Sequence, residues 1–161
     1  MKQSQGFTLV ELLIFMALFS VVLVVLSSLF AATVQQQLEN QAISATESDS
    51  TFVISRMQYD FDRAADVITP ANPGDTSDTL TLEINGEEYT YEVTNERLAM
   101  TTPTGSYELL SPRSKITAIE FRQIGNTDGE PTVEVQMDVT SVAENATGAE
   151  TAAIDTIFSV R

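Results

Sequence analysis

The chain has 161 residues, with 8 Lys and Arg against 23 Asp and Glu, and a formal net charge of -15. It contains no Cys and no His, which excludes disulfides, thiol nucleophiles, histidine bases and the usual zinc ligand sets. The acidic balance argues against a nucleic-acid binder with a broad basic face, because neutralising phosphates takes Lys and Arg. The charge is also unevenly placed. Residues 1–34 hold Lys2 and Glu11 alone, residues 35–68 hold six acids against two Arg, and residues 69–161 hold sixteen acids against five bases. A nearly uncharged N-terminus therefore precedes a strongly acidic remainder that belongs in water.

From Phe7 to Val34 the sequence is apolar, and between Leu12 and Val34 there is no charge, no Pro and no Gly over 23 residues. At about 1.5 Å per residue such a helix spans roughly 35 Å, enough for a hydrocarbon core of about 30 Å. A cleaved secretory signal would need a shorter apolar core with a small-residue cleavage site after it, which Ala31-Ala32 would have to supply. A retained membrane helix is the better reading. Glu11 is the exception within it. A carboxylate at the centre of a membrane helix costs on the order of 3 kcal/mol, less near the interface, where it can snorkel to water.

The residues around Glu11 form a pattern. Gly6-Phe7-Thr8-Leu9-Val10-Glu11 follows a short leader with a single Lys2 and opens the apolar run. In this the chain resembles the type IV pilin superfamily, whose prepilin signal is a short basic leader ending in Gly, then Phe-Thr-Leu-x-Glu, then about twenty apolar residues. The resemblance implies that a prepilin peptidase cuts after Gly6 on the cytoplasmic side and N-methylates the new amine on Phe7. It implies further that Glu11, fifth in the mature chain, pairs during filament assembly with the Phe7 amine of a neighbouring subunit. Within one chain the two groups are also one helical turn apart, close enough to neutralise each other. Where major pilins and pseudopilins carry Pro at the twenty-second mature position, this chain has Ser28, preceded by Ser27. That departure, with Ala17-Leu18-Phe19-Ser20, makes it most like a J-type minor pseudopilin of type II secretion or a W-type minor pilin.

Beyond Val34 the helical period continues and becomes amphipathic. Leu38, Ala42, Ala45, Val53, Met57, Phe61, Ala64 and Ile68 approximate a 3.6-residue spacing, which predicts a helix over 35–68 closed by Thr69-Pro70. Residues 44–50, SATESDS, are a weak point where the helix is expected to fray. Arg56, Asp60 and Arg63 read as exposed ion pairs at helical spacing, with a subunit contact as the alternative.

Residues 71–78 read as a loop. The period then switches to two, with a hairpin at Asn85-Gly86 and strands around Tyr89–Val93, Arg97–Met100, Ile116–Ile124, Thr132–Val139 and Ala153–Val160. A phase slip predicts a bulge near Ala118, and residues 141–151 read as a mobile loop. The fold class is accordingly α+β: a long N-terminal helix packed on an antiparallel β-meander over 79–160. The domain reading is a leader over 1–6, a transmembrane and filament-core helix over 7–34, and an extracytoplasmic head over 35–161.

Asp75-Thr76-Ser77-Asp78 and Asn126-Thr127-Asp128-Gly129-Glu130 resemble oxygen-rich calcium loops without the spacing of an EF-hand, so solvated turns are preferred and no metal or cofactor is assigned. Asn145-Ala146-Thr147 is a short glycosylation pattern, and no phosphate-cradling glycine loop or nucleophile elbow occurs. The expectation is a structural subunit, a minor pilin or pseudopilin, rather than an enzyme. Its expected partners are the prepilin peptidase, other pilin or pseudopilin subunits and an inner-membrane assembly platform, with no direct nucleic-acid contact. It would begin as a single-pass inner-membrane protein with its head extracytoplasmic and end in a periplasmic or surface filament. The competing reading is a membrane-anchored binding domain that never polymerises.

Overall fold

The computed structural model describes residues 8–125, 129–145 and 148–160. One helix, α1, runs from Leu9 to Phe61, and the chain divides into two compact units, Met1–Leu38 and Glu39–Arg161.

In the first unit every side chain from Thr8 to Val34 is exposed, and the apolar stretch reaches a mean hydropathy of 3.0. It is long and apolar enough to cross a membrane. Three of its hydroxyls bond back to the helix itself. Ser20 donates to the Met16 carbonyl at 2.7 Å, Ser28 to Val25 at 2.8 Å and Thr33 to Leu29 at 2.9 Å. Back-bonding of this kind lets Ser and Thr sit in an apolar medium without an unmet donor.

In the second unit the helix buries a stripe of Ala42, Thr46, Ser50, Val53, Met57, Asp60 and Phe61. The expected fraying at residues 44–50 does not occur. The small side chains of Thr46 and Ser50 lie on the buried face, and the Thr46 hydroxyl donates to the Ile43 carbonyl at 2.9 Å. Composition alone favours turns there; packing overrides it.

The helix ends earlier than its periodicity implies. Arg63 and Ala64 donate to the carbonyls of Asp60 and Phe61 in tight three-residue turns, and the Ala65 amide then bonds to the Glu83 carbonyl at 2.7 Å. Residues Asp66–Thr69 form strand β1, paired antiparallel with β3. Val67, Ile68 and Thr69 are three β-branched residues in succession, which favours strand over helix, and β1 pairs along one side with β3, Val67 opposite Leu82 and Thr69 opposite Thr81. Val67 is buried and Ile68 exposed, an alternation of two that replaces the helical spacing. The expected helical span of 35–68 is thus corrected to an end at Phe61.

The remaining strands are β2 (Thr76–Ser77), β3 (Leu80–Ile84), β4 (Glu87–Thr94), β5 (Arg97–Thr102), β6 (Gly105–Glu108), β7 (Ser114–Gln123), β8 (Thr132–Asn145) and β9 (Gly148–Ser159). They form two sheets rather than the single meander expected over 79–160: β1-β3-β4-β5-β6 and β2-β7-β8-β9. The hairpin at Asn85-Gly86 closes Ile84 on Glu87, with both turn residues at positive φ, 56° and 79°. Asn95-Glu96 does the same between Thr94 and Arg97 at φ 52° and 61°. The register of β7 on β8 shifts between Ile116 and Ala118, which is the bulge expected there. Of the residues expected as a mobile loop over 141–151, the described ones instead extend the β8–β9 ladder, with Glu144 opposite Ala149 and Asn145 opposite Gly148.

One core joins the three layers. Val53, Met57 and Phe61 of the helix meet Leu80, Leu82, Ile84 and Tyr91 of the first sheet and Val133, Val135, Val139 and Phe158 of the second. The Phe61 and Phe158 rings stack at 5.1 Å. Arg97 holds the passage between the sheets, donating to the carbonyls of Leu110, Ser111 and Ser114 at 2.6–2.7 Å. Asp49 of the helix accepts from the amide and hydroxyl of Ser111 at 3.1 and 2.7 Å.

Candidate functional site

The N-terminal site begins at Thr8. Its carbonyl accepts the Leu12 amide at 3.1 Å and its hydroxyl accepts the Glu11 amide at 3.2 Å, so Thr8 is the N-cap of α1. Glu11 then lies in the first turn, where the helix dipole favours a negative charge. Thr8-x-x-Glu11 also has the spacing of a capping box, of which the structure forms the Thr8 half, the bond from the Glu11 amide to the Thr8 hydroxyl. The Glu11 carboxylate has no hydrogen-bond partner among the described residues and is exposed amid Leu9, Val10, Leu12 and Leu13. Gly6 and Phe7, the expected cleavage and methylation residues, lie outside the described residues.

A second site was misjudged from sequence. Arg56, Asp60 and Arg63 are not a set of exposed pairs, for the Asp60 side chain is 0% exposed. Its carboxylate accepts from Arg56 Nε at 2.8 Å and Nη2 at 3.2 Å, from Arg63 Nη2 at 2.5 Å, and from the Tyr91 hydroxyl of β4. Tyr91 and Tyr89 stand two residues apart on one face of β4, and the Arg63 guanidinium lies 4.1 Å from the Tyr59 ring centroid and 6.0 Å from that of Tyr89. Helical spacing brings the two Arg to Asp60, but only the folding of β4 onto the helix supplies Tyr91, thirty-one residues away. The paired Tyr89 and Tyr91 of an alternating strand were the available signal.

Burial first, and the Asp60 hydrogen bond and charge second, push the Tyr91 hydroxyl well above its ordinary value of 10.0. A raised folded-state value means that the phenol keeps its proton in the folded chain while an unfolded chain loses it. The stabilisation is therefore complete below pH 10.0 and is lost as pH rises above that value. Urea denaturation of the full chain in mild detergent should show stability falling above about pH 10, and Tyr91→Phe should flatten that fall. The variant should also be about 1–3 kcal/mol less stable near neutral pH, having lost a buried hydrogen bond to a carboxylate.

The Asp75 carboxylate accepts from the Asn72 amide at 3.1 Å and Nδ2 at 2.9 Å, closing the turn before β2, while the Asp78 carboxylate accepts from the Thr79 hydroxyl. The two acids are thus engaged in local turns. Among the described residues no three His, Cys, Asp or Glu are grouped to hold a metal ion. In the second acidic loop Asn126, Thr127 and Asp128 lie outside the described residues, as do Ala146 and Thr147 of the glycosylation pattern.

Residues 1–27 match the family model described as the prokaryotic N-terminal methylation motif. No curated protein and no solved structure matches the chain. The matched segment includes Gly6, Phe7 and Glu11, the N-cap Thr8 and the first part of the exposed apolar helix.

Proposed function

We propose, from the type IV pilin-like signal that residues 1–27 carry, that this chain is a minor pilin or pseudopilin. In this reading it is a structural subunit of a type IV pilus or a type II secretion pseudopilus, and not an enzyme. Processing after Gly6 leaves Phe7 as a methylated amine directly ahead of the Thr8 N-cap. The apolar half of α1 then holds the chain in the inner membrane until neighbouring helices replace lipid around it. The carboxylate of Glu11 supplies the counter-charge for the amine of an adjacent subunit, in a medium where an unpaired ion is costly. Ser28 in place of Pro keeps the helix unbroken at that level, in line with the continuous α1 and with a minor rather than a major role.

The observation that carries this reading is the methylation motif placed immediately before an apolar helix exposed on every side. The test is mass spectrometry of the chain co-expressed with a prepilin peptidase. The expected product lacks residues 1–6 and carries one methyl group on Phe7; an intact Met1 favours the membrane-anchored domain that does not polymerise, and a start near residue 33 favours a secreted product. Glu11→Ala should leave membrane insertion intact, because removing a charge from an apolar helix only eases its insertion. Its incorporation into filaments, counted by immunogold labelling, should fall at least about tenfold, the loss expected for an ion pair in a dry interface. Undiminished incorporation would count against the pairing.

A further inference from the structure

The helix and the first sheet enclose a groove of about 450 Å³ whose lining includes Phe52, Arg56, Tyr59, Arg63, Tyr89 and Tyr107. Three of the aromatic side chains remain open to solvent: Phe52 at 53%, Tyr59 at 52% and Tyr107 at 49%. Two guanidiniums converge on the one carboxylate of Asp60, so one positive charge is left in excess beside the groove. Glu108, the acid in the lining, is itself paired with Arg97 at 2.9 Å. In a chain of net charge -15 this is a locally cationic, aromatic-walled recess.

Arg63 is held ready in it. Its Nη2 is committed to Asp60, and its plane lies against Tyr59 at 4.1 Å, while Nε and Nη1 have no hydrogen-bond partner among the described residues. A guanidinium fixed by an ion pair and an aromatic face presents its remaining N–H groups in a set geometry, and because Nε–H and Nη1–H lie on different edges of its plane, each donates singly to one oxygen of a carboxylate. A single surplus charge suits a single acid. A polyanion would bring many more negative charges against the acidic surface around the groove, where Coulomb repulsion opposes it. Phe52 and Tyr107 offer apolar surface for a neighbouring side chain. We infer that the groove docks a protein segment in which one carboxylate side chain, received by Arg63, stands next to an apolar residue.

The probe is the peptide acetyl-Gly-Glu-Leu-Gly-amide, titrated into the full-length chain in lipid nanodiscs while the Arg63 Nε–H resonance is followed. A saturable shift is expected, weakened at least about tenfold when Glu in the peptide is replaced by Gln. Arg63→Gln should weaken peptide binding by a similar factor, read by calorimetry, and Arg113→Gln, an exposed arginine outside the groove, should not. Tyr59→Leu leaves the Asp60 ion pairs in place and should still weaken binding several-fold, so the inference remains testable should Arg63→Gln fold poorly. Equal binding of the Glu and Gln peptides, binding by Tyr59→Leu as tight as that of the Arg113→Gln control, or no saturable shift at millimolar peptide would each overturn it. So would full displacement of the peptide by equimolar inorganic phosphate, or tighter binding of an oligothymidylate, since either would assign the recess to a different anion.

Discussion

Replacing Arg56 and Arg63 together by Met is expected to destabilise the folded second unit by about 3–5 kcal/mol, more than Asp60→Asn does. The two guanidiniums are 30% and 34% exposed and can turn to water when their partner is neutralised, whereas the Asp60 carboxylate is fully buried and cannot. Stripped of both cations, that carboxylate keeps only the Tyr91 hydroxyl in a medium that solvates charge poorly. Asp60→Asn leaves an uncharged group of the same size able to accept from Tyr91, and should cost about 1–3 kcal/mol. The comparison is made by urea denaturation of the full chain in mild detergent at neutral pH, with tyrosine near-ultraviolet dichroism as the probe of the second unit. An Asp60→Asn loss equal to or above that of the double Met variant would show that the buried carboxylate is not the costly element.

Phe61→Ala is expected to cost about 3–5 kcal/mol, the range for removing a fully buried aromatic ring. Phe61 closes the helix at the point where it touches both sheets. Its ring is 0% exposed and stacks on Phe158 of β9, and Asp60 beside it reaches Tyr91 of β4. Loss of the ring opens a cavity where three layers meet, and the rigid ladder behind Phe158 has little freedom to fill it. Phe52→Ala, on the exposed face of the same helix, should change stability by no more than about 0.5 kcal/mol. The two are compared in one denaturation series, where a Phe61→Ala loss below about 1.5 kcal/mol would show that the site collapses around the missing ring.

Much of the architecture is legible from local pattern because the pattern is local in origin. The Asn85-Gly86 hairpin follows from the ease with which those two residues take positive φ. The bulge before Ala118 is visible as a slip in alternation, because one extra residue moves every following side chain to the other face. The apolar helix is legible for the same reason, since a membrane-length run without Gly or Pro has few alternatives. Where local preference and tertiary demand disagree, the sequence misleads. Residues 44–50 look like a break and are helix, because small side chains at positions 46 and 50 allow the buried stripe to continue. Residues 66–69 continue the helical spacing and are strand, because the edge of β3 offers backbone partners that the last turn of a helix lacks.

Chemistry tied to consecutive residues was determined by the sequence itself. The N-terminal methylation motif, the Thr8 cap and the apolar run need no distant contact, and they would read the same in any fold. The recess beside Asp60 was decided only by tertiary structure. Its parts come from the helix and the turn that follows it, β4, β5 and β6, and its charge excess comes from two guanidiniums converging on one buried carboxylate. Spacing along a chain states which side chains can share a face. Whether that face meets water or another element sets the dielectric around it, and hence what its charges can do.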